Sequence, residues 1–250
     1  MDTTQKNTTP TDDWEVTANR FVAYIDIMGF KDMVAREKHE DIYKLMIRMK
    51  ERINFSERVD WSYEKSTFVR TTTYSDSIMI YSKDRTDNSL NSFLCTIASI
   101  IGDLFLEEIP FKGAVAFGKM TLDTKNSIFF GQPLIDAYLL EEELHFYGVV
   151  IHATAEKEIY NRRDEILSPR VFLQYYPCHF KNGISKHLTV FPMNAIIYEN
   201  QKTESESNLY KLLESINCLR HKTSGHLRKY IENTEAYLQF IKDNSVFDGF

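Results

Sequence analysis

Cysteine is scarce in this sequence, and the motifs of cysteine-based or zinc chemistry are missing. The 250 residues include three cysteines, Cys95, Cys178 and Cys218, which lie far apart and form no CxxC pair. Their odd number and spacing argue against a disulfide framework or a structural zinc site and indicate reduced thiols in a cytoplasmic protein. The seven histidines show neither HExxH nor another paired spacing of metal ligands, which argues against a zinc-hydrolase motif.

Several other functional signatures are also absent. The sequence has no GxxxxGK(S/T), GxGxxG or GxSxG, so P-loop, dinucleotide-binding and elbow-hydrolase motifs are excluded. Its formal net charge of −6 lacks the basic excess of duplex-binding proteins, so we expect no nucleic-acid partner. The N-terminus has no apolar signal-peptide core. The apolar stretches at 21–30 and 93–106 are too short or too charged at their flanks to span a bilayer, so we expect no membrane span.

What the sequence does contain is the composition of an ordinary globular protein. Hydrophobic residues make up 43% and charged residues 26%, which is enough for a sizeable core in one large domain. The polar stretch 1–16 predicts a flexible N-terminal arm, and residues 17–198 predict the main domain. Residues 199–250 predict a C-terminal helical extension, which a polar linker at 199–208 would join to that domain.

Hydrophobic periodicity predicts the order β-α-β-β-α-β-β-α-β over residues 21–152, followed by a further helix and two strands before the C-terminal extension. The predicted strands are 21–28, two within 66–82, 111–120, 127–131, 148–152, 170–176 and 187–193. The predicted helices are 40–54, 88–108, 132–146, 153–166, 207–221 and 224–244. Two βαβ crossovers around a central hairpin predict a ferredoxin-like α+β fold with a central mixed or antiparallel sheet.

Two aspartates are candidates for chemistry. Asp26 lies inside the apolar run FVAYIDIM, where an unpaired buried charge would be costly. Asp76 lies in TYSDSIMI, at the predicted tight turn between two strands that neighbour the first one in a ferredoxin-like sheet. The carboxylates would therefore converge, and they would repel unless a divalent cation, Mg²⁺ or Mn²⁺, lay between them. A strand cap or a turn role for each aspartate is the alternative interpretation.

The residues after the first aspartate fit phosphate binding. Gly29 and Phe30 follow Asp26 closely, and the main-chain N–H groups of residues 27–30 would form a concavity for phosphate oxygens. The later stretch KGAVAFGKM has small residues of the kind that let a ligand or another backbone approach closely. Metal ions beside a phosphate-binding turn are typical of phosphoryl transfer.

Four stretches together carry a family resemblance. YIDIMGF, TYSDSIMI, KGAVAFGKM and FFGQPLIDAYLLEEEL follow one another within roughly residues 20–152. They resemble, in turn, the opening strand, the metal-binding hairpin, the following strand, and the next strand and helix of class III nucleotidyl cyclase catalytic domains. Within that family they resemble the bacterial pyrimidine nucleotide cyclases of Pycsar anti-phage systems. The resemblance identifies residues 17–198 as a cyclase catalytic domain.

The resemblance implies a homodimer with active sites at the subunit interface. It implies two Mg²⁺ or Mn²⁺ ions per site on Asp26 and Asp76, with the Ile27 carbonyl as a further ligand and the phosphates near Gly29 and Phe30. The substrate would be UTP or CTP, converted to cyclic UMP (cUMP) or cyclic CMP (cCMP) with release of pyrophosphate. The product would be a second messenger in antiviral defence, sensed by a separate cyclic-nucleotide effector.

The sequence departs from the class III pattern at the positions that usually read purines and stabilise the transition state. The family's Asn and Arg correspond to Ile135 and Leu139, and its purine-reading Lys corresponds to Thr72, so an adenylyl or guanylyl cyclase is not expected. Another cation must then meet the developing charge. The candidates are Arg70, Lys112 and Lys119.

Residues of the predicted hairpin are candidates for binding the substrate. Arg70 lies on the same strand face as Thr72, and a donor there would suit uracil, so we expect UTP rather than CTP. Tyr74 would form a wall of the pocket, although a turn or surface role is the alternative for each of these residues. The missing Asn and Arg leave open a catalytically inactive module that binds a nucleotide and dimerises. A diguanylate-cyclase or polymerase-palm relative is a third possibility, but a GG(D/E)EF stretch is absent.

Overall fold

The computed structural model describes residues 14–58, 68–162, 173–192, 197–198, 202–244 and 246–247. The strands in these ranges are β1 (Thr17–Ile27), β2 (Val69–Tyr74), β3 (Ser77–Ser82), β4 (Phe111–Asp123), β5 (Ile128–Gly131), β6 (Val149–Ile151), β7 (Leu173–Phe180), β8 (Gly183–Val190), β9 (Ile197–Tyr198) and β10 (Val246–Phe247). The helices are α1 (Phe30–Arg36), α2 (His39–Arg58), α3 (Asp87–Leu106), α4 (Gln132–Glu142), α5 (Ala153–Tyr160), α6 (Lys202–Lys222) and α7 (Arg228–Asn244), with a 3₁₀ turn at Gly225–Leu227.

A mixed sheet of eight strands organises the domain. Its order is β2-β3-β1-β4-β6-β8-β7, and β5 pairs with β4. β4 and β6 run parallel, whereas the other neighbouring strands of this sheet are antiparallel. The first four strands have the β2-β3-β1-β4 order that two crossovers around a hairpin produce. The predicted ferredoxin-like α+β fold is therefore confirmed.

The two faces of the sheet differ because side chains alternate along each strand. One side of β1 is buried in the main hydrophobic core and is called the core face here; its residues are Phe21, Ala23, Ile25 and Ile27. The other side, called the α4 face, carries Arg20, Val22, Tyr24 and Asp26. α4 packs on this second side, where the ring of Tyr138 meets the ring of Tyr24.

α3 is the central helix of the core face. Thr86 caps its N-terminus by accepting a hydrogen bond from the Ser89 N–H at 3.4 Å. The ring of Phe93 lies 6.0 Å from that of Phe21 on β1. Among the described helices, α3 alone is long and apolar enough to suit a membrane span, and most of it is buried inside the domain. Its apolar surface therefore already has a partner in the core.

The end of α4 differs from the sequence prediction of a helix through residue 146. The helix ends at Glu142, because the next residues pair with a strand instead. Leu144 forms a β-bridge with Phe180, and the N–H of His145 donates to the carbonyl of His179 at 2.9 Å. These contacts draw the chain towards β7 before a further helical turn can form.

β7 and β8 form one hairpin, whereas the sequence prediction placed two strands further apart. Only Lys181 and Asn182 separate them, and Gly183 adopts φ 132°, a conformation that favours glycine. Residues 170–172 of the first predicted strand lie outside the described residues, as do residues 163–166 of the predicted helix 153–166.

The C-terminal helices pack against the sheet domain. Within the predicted linker 199–208, α6 has already begun at Lys202. The buried side chains of α7 belong to the main core; they include Tyr230, Ile231, Tyr237, Leu238 and Ile241. The Thr234 hydroxyl accepts a hydrogen bond from the Tyr147 N–H at 2.8 Å. α7 therefore shares the core of the sheet, and a domain boundary at residue 199 stays a prediction.

The residues before β1 also contact the sheet. The Leu122 N–H donates to the Val16 carbonyl at 2.7 Å, and Arg20 donates to the carbonyl of Glu15. The Trp14 ring lies 5.0 Å from the Arg20 guanidinium carbon. Residues 1–13 of the predicted flexible arm lie outside the described residues, so the arm itself stays a prediction.

Candidate functional site

Asp26 and Asp76 lie together at one end of the sheet. Asp26 is the last but one residue of β1 and lies opposite Ser77, the first residue of β3. Asp76 belongs to the two-residue turn between β2 and β3, whose other member, Ser75, has φ 54°. The N–H of Ile27 donates to the carbonyl of Asp76 at 2.9 Å, which fixes the turn against the end of β1. The side chain of Ile27 is buried in the core, so its main chain alone faces the site.

The two carboxylates are electrostatically coupled. Partial burial raises the pKa of Asp26, the negative charge of Asp76 raises it further, and the positive charge of Lys112 lowers it. A divalent cation between the carboxylates would relieve this repulsion. No cluster of three acidic, His or Cys side chains that could hold a metal occurs in the described part of the chain. Two carboxylates fit Mg²⁺ or Mn²⁺ nonetheless, because Mg²⁺ is commonly held by one or two carboxylates together with substrate phosphates.

The turn after β1 depends on Gly29. This residue has φ 75° at the N-cap of α1, and its carbonyl accepts the N–H groups of Asp32 and Met33, each at 3.0 Å. No atom lies within 4 Å of the position that a Cβ would take, so the backbone conformation, rather than space, requires glycine here. Phe30 is half-buried and packs against the core. The phosphate-binding role of this turn stays a prediction.

Lys112 lies beside Asp26, and it is one of the three candidate cations. It is the direct partner of Asp26 in the β1–β4 register. Its ammonium is ion-paired with the Glu141 carboxylate of α4 at 3.1 Å, and these side chains are 12% and 3% exposed. Lys112 also donates to the main-chain carbonyls of Glu141 and Glu142, at 3.3 and 3.5 Å. Burial raises the pKa of Glu141 to about 7, although Lys112 opposes the shift.

Two tyrosines connect β1 to α4 next to the carboxylates. The Tyr24 hydroxyl shares a 2.7 Å hydrogen bond with the Ser77 hydroxyl. The rings of Tyr24 and Tyr138 meet edge-to-face at 5.4 Å, and the Tyr138 hydroxyl donates to the Glu142 carboxylate at 3.0 Å. These tyrosines and Glu141 were not predicted from the sequence. The alternation that places Tyr24 on the same face as Asp26 is the signal that identifies it.

The three candidates on β2 lie at increasing distance from the carboxylates. Tyr74 is opposite Ser77 in the same cross-strand row as Asp26, and it is 78% exposed. Thr72 lies two residues further along the strand. Arg70 lies four residues from Tyr74, about 13 Å along the strand, and its guanidinium carbon stacks 4.3 Å above the Trp14 ring. The structure therefore brings Tyr74 to the site and leaves Arg70 at its far edge.

Lys119 is not brought to the carboxylates. It pairs with Asn19, seven residues along β4 from Lys112, so it lies about 24 Å away along the strand. The odd spacing also directs its exposed side chain to the opposite side of the sheet from Lys112.

Exposed apolar side chains lie on and beside α4. Ile135, Tyr138 and Leu139 of α4 are 52%, 41% and 53% exposed, and Phe130 of β5 is 61% exposed. The sequence resemblance sets Ile135 and Leu139 at the positions of the class III Asn and Arg, a correspondence that stays a prediction. The structure shows that both side chains are apolar and exposed.

Comparisons with known proteins identify similar folds and no family. No protein-family model matches the chain, and no curated protein matches its sequence. Solved structures with a similar fold include the catalytic core of a rhodopsin-guanylyl cyclase with converted specificity, which is 13% identical with a TM-score of 0.47, over 72% of this chain and 98% of that one. A bacterial light-regulated adenylyl cyclase is 13% identical with a TM-score of 0.48, over 81% of this chain and 59% of that one.

A third similar structure is an adenylate/guanylate cyclase/hydrolase from Silicibacter pomeroyi. It is 11% identical with a TM-score of 0.47, over 70% of this chain and 98% of that one. All three scores lie below 0.5, so the likeness concerns overall fold, and a functional conclusion has to rest on the residues of the site.

Proposed function

We propose that the protein is a metal-dependent pyrimidine nucleotide cyclase that converts UTP, or CTP, to the 3′,5′-cyclic monophosphate and pyrophosphate. The observation that carries this proposal is the convergence of Asp26 and Asp76 at one end of the sheet. Two coupled carboxylates that share Mg²⁺ or Mn²⁺ with substrate phosphates are typical of phosphoryl-transfer sites. Residues 17–198 would form the catalytic domain.

The residues of this chain would bind and orient the triphosphate. Asp26 and Asp76, with the Ile27 carbonyl, would hold two Mg²⁺ or Mn²⁺ ions, whose chemistry is to acidify the 3′-hydroxyl and neutralise the departing pyrophosphate. The 3′-oxygen bonds to the α-phosphorus as the bond from that phosphorus to the bridging oxygen breaks, and the hydroxyl proton passes to solvent. Gly29 and Phe30 would hold the phosphates in line for this attack, which lowers its entropic cost.

The candidate cations divide into one near the carboxylates and two further away. Lys112, beside Asp26, would face the developing negative charge. Lys119 would contribute to the site only through a large rearrangement, because its side chain is directed to the opposite side of the sheet. The position of Lys112 beside Asp26 therefore makes it the candidate to replace the arginine that the class III pattern places at Leu139.

Residues of β2 would contact the base and select between uracil and cytosine. Thr72 and Tyr74 are the two residues of β2 nearest to Asp26 on the same face of the sheet. Arg70 would read the base of a nucleotide that extends along this strand. A guanidinium donor suits O4 of uracil, whereas cytosine presents an amino group at that position, so we favour UTP.

The exposed apolar side chains support a homodimer. Exposed apolar surface commonly marks an interaction site, and exposed apolar side chains lie on both elements next to the carboxylates, with Tyr74 on β2 and Tyr138 on α4. A second copy of the chain would cover this surface and add further polar side chains to the active site. The product would act in the cytoplasm as an antiviral second messenger, sensed by a separate cyclic-nucleotide effector. This biological role rests on the resemblance of four sequence motifs.

One observation favours a second candidate, a catalytically inactive module that binds a nucleotide and dimerises. Ile135 and Leu139, which correspond to the transition-state Asn and Arg of the family, are apolar and exposed. A site that binds a nucleotide through metal ions on its carboxylates and lacks a transition-state cation would bind substrate without turnover.

The test incubates the purified chain with Mn²⁺ and each of the four labelled ribonucleoside triphosphates. We expect a cyclic pyrimidine monophosphate and pyrophosphate from UTP, and a smaller amount from CTP. Asp26→Asn and Asp76→Asn should each lower the rate on the order of a thousandfold, because metal coordination supplies several kcal/mol of transition-state stabilisation.

Asp41→Asn is the matched control, because this exposed aspartate on α2 pairs with Lys44 away from the site. It should leave the rate unchanged. Nucleotide binding without any cyclic product from the four triphosphates would reject the cyclase and favour the inactive module. Equal activity of Asp76→Asn and the wild type would reject the assigned metal ligands.

A further inference from the structure

The position of Lys112 between two carboxylates has a consequence for metal binding. In the β1–β4 register Lys112 is directly opposite Asp26, a relation that places Cβ atoms about 5 Å apart. Burial raises the pKa of Asp26, and the positive charge of Lys112 opposes that rise. The ion pair that the structure gives Lys112, within the described residues, is nevertheless with Glu141 at 3.1 Å. The ammonium is therefore held away from the carboxylate it faces.

The C-terminal end of α4 provides the groups that hold the ammonium. Besides the Glu141 carboxylate, the main-chain carbonyls of Glu141 and Glu142 accept hydrogen bonds from Lys112 at 3.3 and 3.5 Å. The last carbonyls of a helix are the negative end of its dipole and attract a cation. Lys112 is 12% exposed, so little solvent is available to replace a lost partner. If the Glu141 carboxylate were removed, Asp26 would become the available anion within reach of the lysine.

We infer that Glu141 is a positioning residue that holds Lys112 against α4 and so leaves the Asp26 carboxylate available to a divalent cation. This inference rests on the proposed function, because it takes Asp26 as a metal ligand. An ammonium paired with Asp26 competes with the metal for the same oxygens. The role of Glu141 is to prevent that competition while a positive charge remains close to the substrate phosphates.

A double-mutant cycle separates this role from a general electrostatic effect. Mn²⁺ affinity is measured without nucleotide, by electron paramagnetic resonance of the free ion, for the wild type, Glu141→Gln, Lys112→Met and the double variant. We expect Glu141→Gln to weaken Mn²⁺ binding about tenfold. We expect Lys112→Met to bind at least as tightly as the wild type, and the added Glu141→Gln change to have little effect in that background. Glu142→Gln is the control, because the side chain of this neighbour bonds Tyr138.

The cycle has outcomes that contradict the inference. Equal losses from Glu141→Gln in the presence and absence of Lys112 would show that Glu141 acts by its charge alone. Unchanged Mn²⁺ affinity in a folded Glu141→Gln variant would also overturn it. Thermal unfolding verifies the fold of each variant. Should Glu141→Gln unfold, Glu141→Asp, which retracts the carboxylate by one methylene, gives the same comparison.

Failure of the proposed function would appear differently. A wild-type chain that binds Mn²⁺ no better than Asp26→Asn would remove the metal site itself, and with it the basis for both proposals. A wild-type chain that binds Mn²⁺ and depends on Asp26, with no effect of Glu141→Gln, would remove only the positioning role.

Discussion

The core face and the α4 face of the sheet are built from the same strands and have opposite chemistry. On the core face, β1 places four apolar side chains against α3, and each of them is at most 2% exposed. On the α4 face, alternate positions of the same strand carry Arg20, Tyr24 and Asp26, two of which are charged. The period of two along a strand therefore places the residues of the proposed chemistry on the α4 face, beside a second, smaller hydrophobic cluster that includes Val22 and Met120.

Buried polar groups on the α4 face need partners, because an unpaired polar group in a low-dielectric environment is costly. Arg20 is fully buried and donates to the carbonyls of Ser82, Lys83 and Glu15. Lys112 has Glu141 as its partner. Asp26 differs, because its neighbours include a second carboxylate, and a divalent cation would complete its environment.

A substitution on the core face should have the largest effect on the free energy of unfolding. Phe93→Ala should lower the free energy of unfolding by about 3–5 kcal/mol, because it removes a fully buried ring packed on Phe21 and leaves a cavity. Chemical denaturation monitored by circular dichroism measures the change. The Mn²⁺ affinity of the remaining folded molecules should not change. A weakened metal site in the folded Phe93→Ala protein would show that the two faces are coupled.

Substitution of a glycine beside the candidate site should have a smaller effect on the free energy of unfolding. Gly113→Ala would place a Cβ 2.9 Å from both the Ile25 side chain and the Tyr24 carbonyl, so the central strands must shift. We expect a loss of about 1–3 kcal/mol in the free energy of unfolding. Gly118→Ala on the same strand is the control, because its Cβ would meet the Pro133 ring at 3.3 Å, where a small adjustment is enough. Equal losses in the two variants would contradict this reading of the contacts.

Much of the fold could be predicted from the sequence, because strand alternation and helical periodicity are local signals. The β2-β3-β1-β4 order followed from the element order and the crossover rules. The misplaced boundaries had causes of two kinds. α4 ends early because of pairing with β7, which is a tertiary contact and invisible to periodicity. The β7–β8 turn had a local signal, Asn182-Gly183, which is a common hairpin sequence.

The candidate site was predictable only in part, because some of its residues are positioned by tertiary packing. The position of Asp26 near the end of the first strand and of Asp76 at the predicted hairpin turn predicted their convergence. Glu141 lies in a run of three glutamates at the end of the predicted helix, and no periodicity distinguishes the buried member from its half-buried neighbours. Its burial depends on how α4 crosses β4, which is a property of the packed structure. α1 was missing from the predicted helices because its seven residues include none that is buried.

A substitution on the exposed apolar surface of α4 should have the smallest effect on stability. Leu139→Glu should change the free energy of unfolding by no more than about 0.5 kcal/mol, because this side chain is 53% exposed in the single chain. In the proposed homodimer the same change would bury a charge at the interface and shift the protein to monomers. Sedimentation velocity measures this shift, and activity per subunit should fall with it because each site would need both copies.

Val34→Glu is the matched control for this comparison. Val34 on α1 is 52% exposed, nearly the same as Leu139, but it lies outside the α4 face. The control should leave both stability and oligomeric state unchanged, so a difference between the two variants reports the partner surface and not the introduced charge. A wild-type protein that is monomeric and fully active at every concentration would contradict the dimer, since the exposed leucine would then need no partner.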